Sequence, residues 1–125
     1  MTLAVNAPPQ FDALPALLAR AATLTDDEVR LLAQNWAHRG ADGPRWRGAR
    51  ARARHSANRL ALFAGRRDIW ITAGNDAWCA CWRTHSGQAT NAVRDAVWAL
   101  VVRDLLDAES FARLTQPWRE TGLPL

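Results

Sequence analysis

Cys81 and His85 stand four residues apart, the spacing that places two side chains on one face of an α-helix. A thiol and an imidazole so arranged would form either a thiolate–imidazole pair or half of a metal site. No C-x-x-C or second ligand pair accompanies them, and His38 and His55 are distant in the chain. The plainer reading is a core thiol beneath a helix-end histidine. Cys79, two positions from Cys81, lies roughly 200° away around a helix, so the two thiols neither share a metal nor pair readily, and both are expected reduced and mostly buried. Paired carboxylates, a glycine-rich phosphate loop and a Ser/His/Asp arrangement are all missing, so the sequence predicts no catalytic residue, no metal and no cofactor.

The second chemistry is that of guanidinium groups. Every basic residue is arginine and lysine is absent, a bias that a G/C-rich genome would produce by itself. The distribution says more than the count. Between Gly43 and Arg67 lie Arg45, Arg47, Arg50, Arg52, Arg54, Arg59, Arg66 and Arg67 with no acid among them, while the rest of the chain carries eight arginines against twelve acids. A block of charge +8 on an otherwise acidic chain is a field that an acidic partner would feel. On a helix these arginines split into two flanks around a seam of Trp46, Ala49, Ala53, Ala57, Leu60 and Ala64. Arg47, Arg50 and Arg54 fall on one side, and Arg45, Arg52, Arg59 and Arg66 on the other, with their stems lying over apolar surface.

Three uses of the block compete. The leading one is capture of an acidic protein surface by a small non-enzymatic interaction module. The alternative is nucleic-acid binding by the same arginines, although no helix-turn-helix, zinc-finger or RNP signature is present. The bland one is pairing with the chain's own acids, such as Asp26, Asp27, Glu28, Asp95 and Asp104. Under the leading reading, replacing Arg47, Arg50 and Arg54 with glutamine abolishes capture and leaves the fold intact. A homo-oligomer is also compatible with the sequence.

The elements that would carry these groups follow from a four-residue rhythm. From Ala49 to Leu105 every fourth residue is small or apolar except His85, and Trp46, Trp70, Trp78, Trp82 and Trp98 lie close beside that row. Thin ridges with tryptophans beside them suit closely packed helices. A four-residue step drifts roughly 40° per repeat, so breaks near Gly65 and Gly87 must reset the row. The lattice tryptophans are expected in the core, with Trp46 and Trp118 partly exposed.

The chain therefore reads as all-α, a single compact bundle of about five or six helices. A tail over 1–10 precedes a helical domain over 11–119, and a short tail covers 120–125. The first helix is expected at Phe11 to Ala22. The second opens on a Thr25/Glu28 capping box with Asp26 and Asp27 in its first turn, and ends at Gly40. The third runs from about Arg45 to Ala64 with Pro44 at its start, and Asp68 caps the next. Ile69 to Arg83 has β preference and Ala73-Gly74-Asn75-Asp76 could turn a hairpin, but the unbroken row favours helix. Ala89 to Leu106 is apolar nearly all round and belongs at the centre. Arg103 is expected to pair with Asp107, and a last short helix holding Phe111 and Leu114 should stop at Pro117.

Hydrophobic residues at 49% and charged residues at 22% exclude a disordered chain, and 125 residues suffice for a core without disulfides or metal. No apolar run approaches the ~18 residues of a membrane span, and Met1 to Gln10 lacks a secretory signal, so no membrane partner and a cytoplasmic location are expected. The run Ala99, Leu100, Val101, Val102, Arg103, Asp104, Leu105 and Leu106, followed by Phe111, Leu114, Pro117, Trp118 and Arg119, resembles the ending of uncharacterised Ala/Trp/Arg/Asp-rich proteins of actinobacteria and their phages. The resemblance spans roughly Trp46 to Arg119. It implies an all-helical fold and supplies no site or activity.

Overall fold

The fold is organised around one helix that touches all the others. The computed structural model describes residues 12–125, and among them the elements are α1 (Ala13–Ala21), α2 (Asp26–Ala37), α3 (Gly43–Phe63), α4 (Arg67–Cys81), a 3-10 turn (Trp82–Thr84), α5 (Gly87–Val101) and α6 (Ala108–Glu120), with no strand. The predicted tail over 1–10, and Phe11 of the predicted first helix, lie outside the described residues. α5 packs against α1, α2, α3, α4 and α6. It buries Ala89, Ala92, Val93, Ala96, Val97, Ala99, Leu100 and Val101, as a helix apolar nearly all round must.

The four-residue row is the inner face of three successive helices. Ala49, Ala53, Ala57 and Ala61 of α3 are buried, as are Ala73, Ala77 and Cys81 of α4 and Ala89, Val93, Val97 and Val101 of α5. Its exposed members are Gly65, Ile69, His85 and Leu105, which lie at or beside the junctions where the drift is reset. The reset at the first junction uses Gly65 at φ +71°, and at the second His85 at φ +53° ends the 3-10 turn.

Ile69 to Arg83 is helical, and Gly74 shows why the β-prone stretch stays so. A Cβ there would come within 2.9 Å of the Trp98 indole. Without one, Trp98 of α5 lies across α4, stacks on Trp70 at 4.6 Å with planes 2° apart, and donates Nε1–H to the Trp70 carbonyl at 2.9 Å. Tertiary contact thus outweighs both the local β preference and the roughly 1 kcal/mol that glycine costs a helix.

The helix ends follow local chemistry with several departures from expectation. The Thr25 capping box forms, with Glu28 N–H donating to Thr25 Oγ1 at 3.1 Å and Thr25 N–H to Glu28 Oε1 at 2.9 Å. Arg20 also reaches Glu28, and that bond, with the Thr25 N–H, holds the Glu28 carboxyl below its usual range. α2 ends earlier than Gly40, at a left-handed His38. Asp68 sits inside the first turn of α4 rather than capping it. α5 stops at Val101 instead of Leu106, where the Val101 carbonyl accepts from Arg66 Nη1 at 3.0 Å. Asp107 caps α6 through Ser110 N–H at 2.9 Å, while Arg103 lies over the Phe111 ring and forms no ion pair with it. α6 runs through Pro117 to Glu120. Arg119 holds the preceding turns by donating to Ala112 O and Thr115 Oγ1, and Trp118 is fully buried, not partly exposed. The predicted tail after it folds back: Leu123 is buried and Trp118 Nε1 donates to Pro124 O at 2.8 Å.

Candidate functional site

α3 presents its arginines in two stripes because 47, 50 and 54 follow a three-then-four spacing, while 45, 52 and 59 follow a strict seven. The seam of alanines between them turns towards α5 and α6, so one stripe faces α2 and α5 and the other faces water.

The inner stripe is part of the fold. Asp95, the only carboxylate between Ala89 and Val101, is 1% exposed on α5. Arg54 grips it in fork geometry, Nε to Oδ1 at 2.6 Å and Nη2 to Oδ2 at 2.9 Å, and Trp36 Nε1 donates to Oδ2 at 3.0 Å. Arg50, 3% exposed, lies 4.7 Å over the Trp36 ring with its Nε 3.8 Å from Asp95, and its Nη2 donates to the Trp36 carbonyl. Burial pushes the Arg50 guanidinium below its ordinary value, and Asp95 opposes that. The Arg54 guanidinium is instead pushed up by its hydrogen bonds to Asp95. Arg47 donates to the carbonyls of Ala37 at 3.0 Å and His38 at 3.1 Å, closing the C-terminus of α2. These three arginines were predicted to be partner-binding and dispensable for folding. The structure places each of them against a neighbouring helix, Arg47 and Arg50 on α2 and Arg54 on α5.

Arg66 is committed similarly. It bonds Asp104 through both Nη atoms, at 2.7 and 2.9 Å, as well as the Val101 carbonyl. Of the acids considered for internal pairing, Asp95 and Asp104 thus meet the arginine block, whereas Asp27 pairs with Arg30 and Glu28 with Arg20.

The outer stripe is different. Arg45, Arg52 and Arg59 are exposed, as is Arg67 at the start of α4, and none has a carboxylate partner among the described residues. Arg45, Trp46, Ala49, Arg52 and Arg113 line a cleft of about 390 Å³ between α3 and α6. His38 stacks on Trp46 at 4.9 Å and Arg113 lies 5.2 Å over the same ring while pairing with Glu109 at 2.6 Å. Arg59 lies 5.8 Å over Phe63, which is itself exposed. Arg113, 54 residues beyond Arg59 in sequence, is the member that spacing arguments had no means of finding.

Cys81 and His85 do not form the weighed pair. The helix gives way to the 3-10 turn between them, His85 is exposed and left-handed, and Cys81 is buried. Burial pushes the Cys81 thiol up to about 11, the opposite of what a nucleophile needs. Cys79 is exposed, correcting the expectation that both thiols are mostly buried. Trp78 and Trp82, expected in the core, are 54% and 59% exposed, Trp78 on the outer side of α4 away from Ala73 and Ala77 and Trp82 in the 3-10 turn that follows it. Among the described residues no group of three His, Cys, Asp or Glu side chains could hold a metal ion, and no helix is long and apolar enough to cross a membrane. No family model, curated protein or solved structure matches the chain.

Proposed function

We propose that the chain is a small cytoplasmic, non-enzymatic interaction module that binds an acidic protein partner through the water-facing stripe of α3, Arg45, Arg52 and Arg59, extended by Arg113 and by Arg67. One observation carries the reading: Arg45, Arg52, Arg59 and Arg67 are exposed and have no carboxylate partner among the described residues, whereas Arg54 and Arg66 are paired with Asp95 and Asp104. Seven-residue spacing sets them about 10.5 Å apart along the helix, a repeat that acidic side chains two turns apart on a partner helix would match.

Nucleic acid is the second reading, favoured by an indole lying between arginines. Base stacking on Trp46 is opposed by His38 and Arg113, which already cover that ring. The test compares a labelled poly-glutamate peptide with a short mixed-sequence DNA duplex by fluorescence anisotropy across a salt series. Arg45→Gln, Arg52→Gln and Arg59→Gln combined should weaken poly-glutamate binding at least ~10-fold with an unchanged melting curve. Unchanged affinity would refute the proposal. Tighter binding to the duplex, with a steep salt slope, would move the assignment to nucleic acid.

A further inference from the structure

A different face of the molecule, independent of the arginine stripe, leaves large apolar side chains in water. Asp68, Ile71, Asn75, Trp78 and Trp82 are all exposed along the outer side of α4 and into the 3-10 turn. From Asp68 the spacing is three, four, three, four, which is the seam of a two-helix coiled coil with a single asparagine at its middle. Ile71, Trp78 and Trp82 put about half of their surface into water. Indoles so exposed are costly to leave wetted and are enriched where partners dock.

We propose that this face pairs with the same face of a second copy of the chain, in an antiparallel two-fold dimer centred on Asn75. Charge decides the partner and the direction. Asp68 lies at the N-terminal end of the seam and Arg83 just beyond its C-terminal end, both exposed and neither with an ion-pair partner among the described residues. Antiparallel pairing sets each Asp68 beside the other copy's Arg83 at both ends, whereas parallel pairing would set like charges together. The helix dipoles also run in opposition.

The lateral register is self-complementary as well. Around an axis through Asn75, the equivalents of Ile71 and Trp78 lie on one side of the seam and meet across it. Thr72 and Cys79 do the same on the other side. The two Asn75 amides face each other on the axis, where each can donate to and accept from its counterpart and so fix the register. Arg94, 5.8 Å from the Trp78 ring, and Arg83, 5.5 Å from the Trp82 ring, form the polar rim around the indoles.

Sedimentation equilibrium on the full chain tests the proposal. A dimer is expected, and Trp78→Ala with Trp82→Ala should convert it to monomer with the circular dichroism spectrum unchanged, since neither indole is in the core. Asp68→Arg and Arg83→Asp should each weaken self-association roughly tenfold, and the two together should restore it. Asn75→Cys in a Cys79→Ser background should form a disulfide-linked dimer under mild oxidation, whereas Asn58→Cys in the same background, on the outer side of α3, should not. A monomeric wild type would overturn the proposal. So would a dimer indifferent to the charge reversals, or equal cross-linking at Asn58.

Discussion

The two arginine stripes of α3 have the same residue type, the same helix and nearly the same sequence neighbourhood, yet opposite fates. Arg50 is buried against Trp36 and Arg54 is locked to Asp95, while Arg52, between them in sequence, stands in water. The difference is where the neighbouring helices offer acceptors. α2 brings the bare carbonyls of its last turn and α5 brings one carboxylate, both on the same side. A guanidinium has five donors and keeps its charge, so it settles wherever acceptors cluster and otherwise stays hydrated. α4 repeats the contrast with other residues: Cys81 and Trp70 are inside, Cys79 and Trp78 outside.

The sharpest way to break this comparison is to remove the anion. Asp95→Asn should cost about 3–5 kcal/mol in urea unfolding, because Arg50 and Arg54 lose their compensating charge in a site with little water. Replacing Arg47, Arg50 and Arg54 with glutamine should be at least as damaging. A fully stable inner triple would mean the ion cluster is incidental.

The thiols give a pH version of the same test. The chain has neither lysine nor tyrosine, so few other groups titrate between pH 9 and 11. Cys81 is raised from its ordinary 9.0 to about 11 by burial. Below pH 9 the thiol is neutral in both states and stability is fully present. As pH rises, the unfolded thiol ionises first and draws the equilibrium towards unfolding, until the loss levels off above pH 11 at about 2–3 kcal/mol. Thermal melts should reveal this decline, and Cys81→Ala should flatten it.

A smaller effect is expected at Gly74. Alanine there gains helix propensity but drives a methyl into Trp98, so Gly74→Ala should cost about 1–2 kcal/mol. In a Trp98→Ala background the same change should become stabilising, a sign reversal that a double-mutant cycle reads directly. Smallest of all, the outer triple Arg45→Gln, Arg52→Gln and Arg59→Gln should alter stability by no more than about 0.5 kcal/mol while weakening acidic-ligand binding. Equal destabilisation by inner and outer triples would erase the distinction between the stripes.

Much of the architecture was legible before any coordinates. The four-residue row located the inner faces of α3, α4 and α5, the Thr25/Glu28 pair placed the start of α2, and the apolar Ala89 to Leu106 run identified the central helix, which ends at Val101. Helix ends were less legible because competing contacts set them. Pro117 reads as a stop, yet the burial of Trp118 and the bonds of Arg119 carry α6 past it. The site was half legible: spacing separated the arginines into two stripes, but nothing along the chain said which one faced water.

By itself the sequence determined helix content, the buried row and the charge imbalance, because these depend on periodicity and composition within a few turns. Tertiary structure decided which arginines were consumed, which tryptophans were left outside, and that Arg113 joins Trp46. Those outcomes depend on how far apart groups distant in sequence lie once α2, α5 and α6 have packed on α3, and the strength of a hydrogen bond or ion pair is set by that separation.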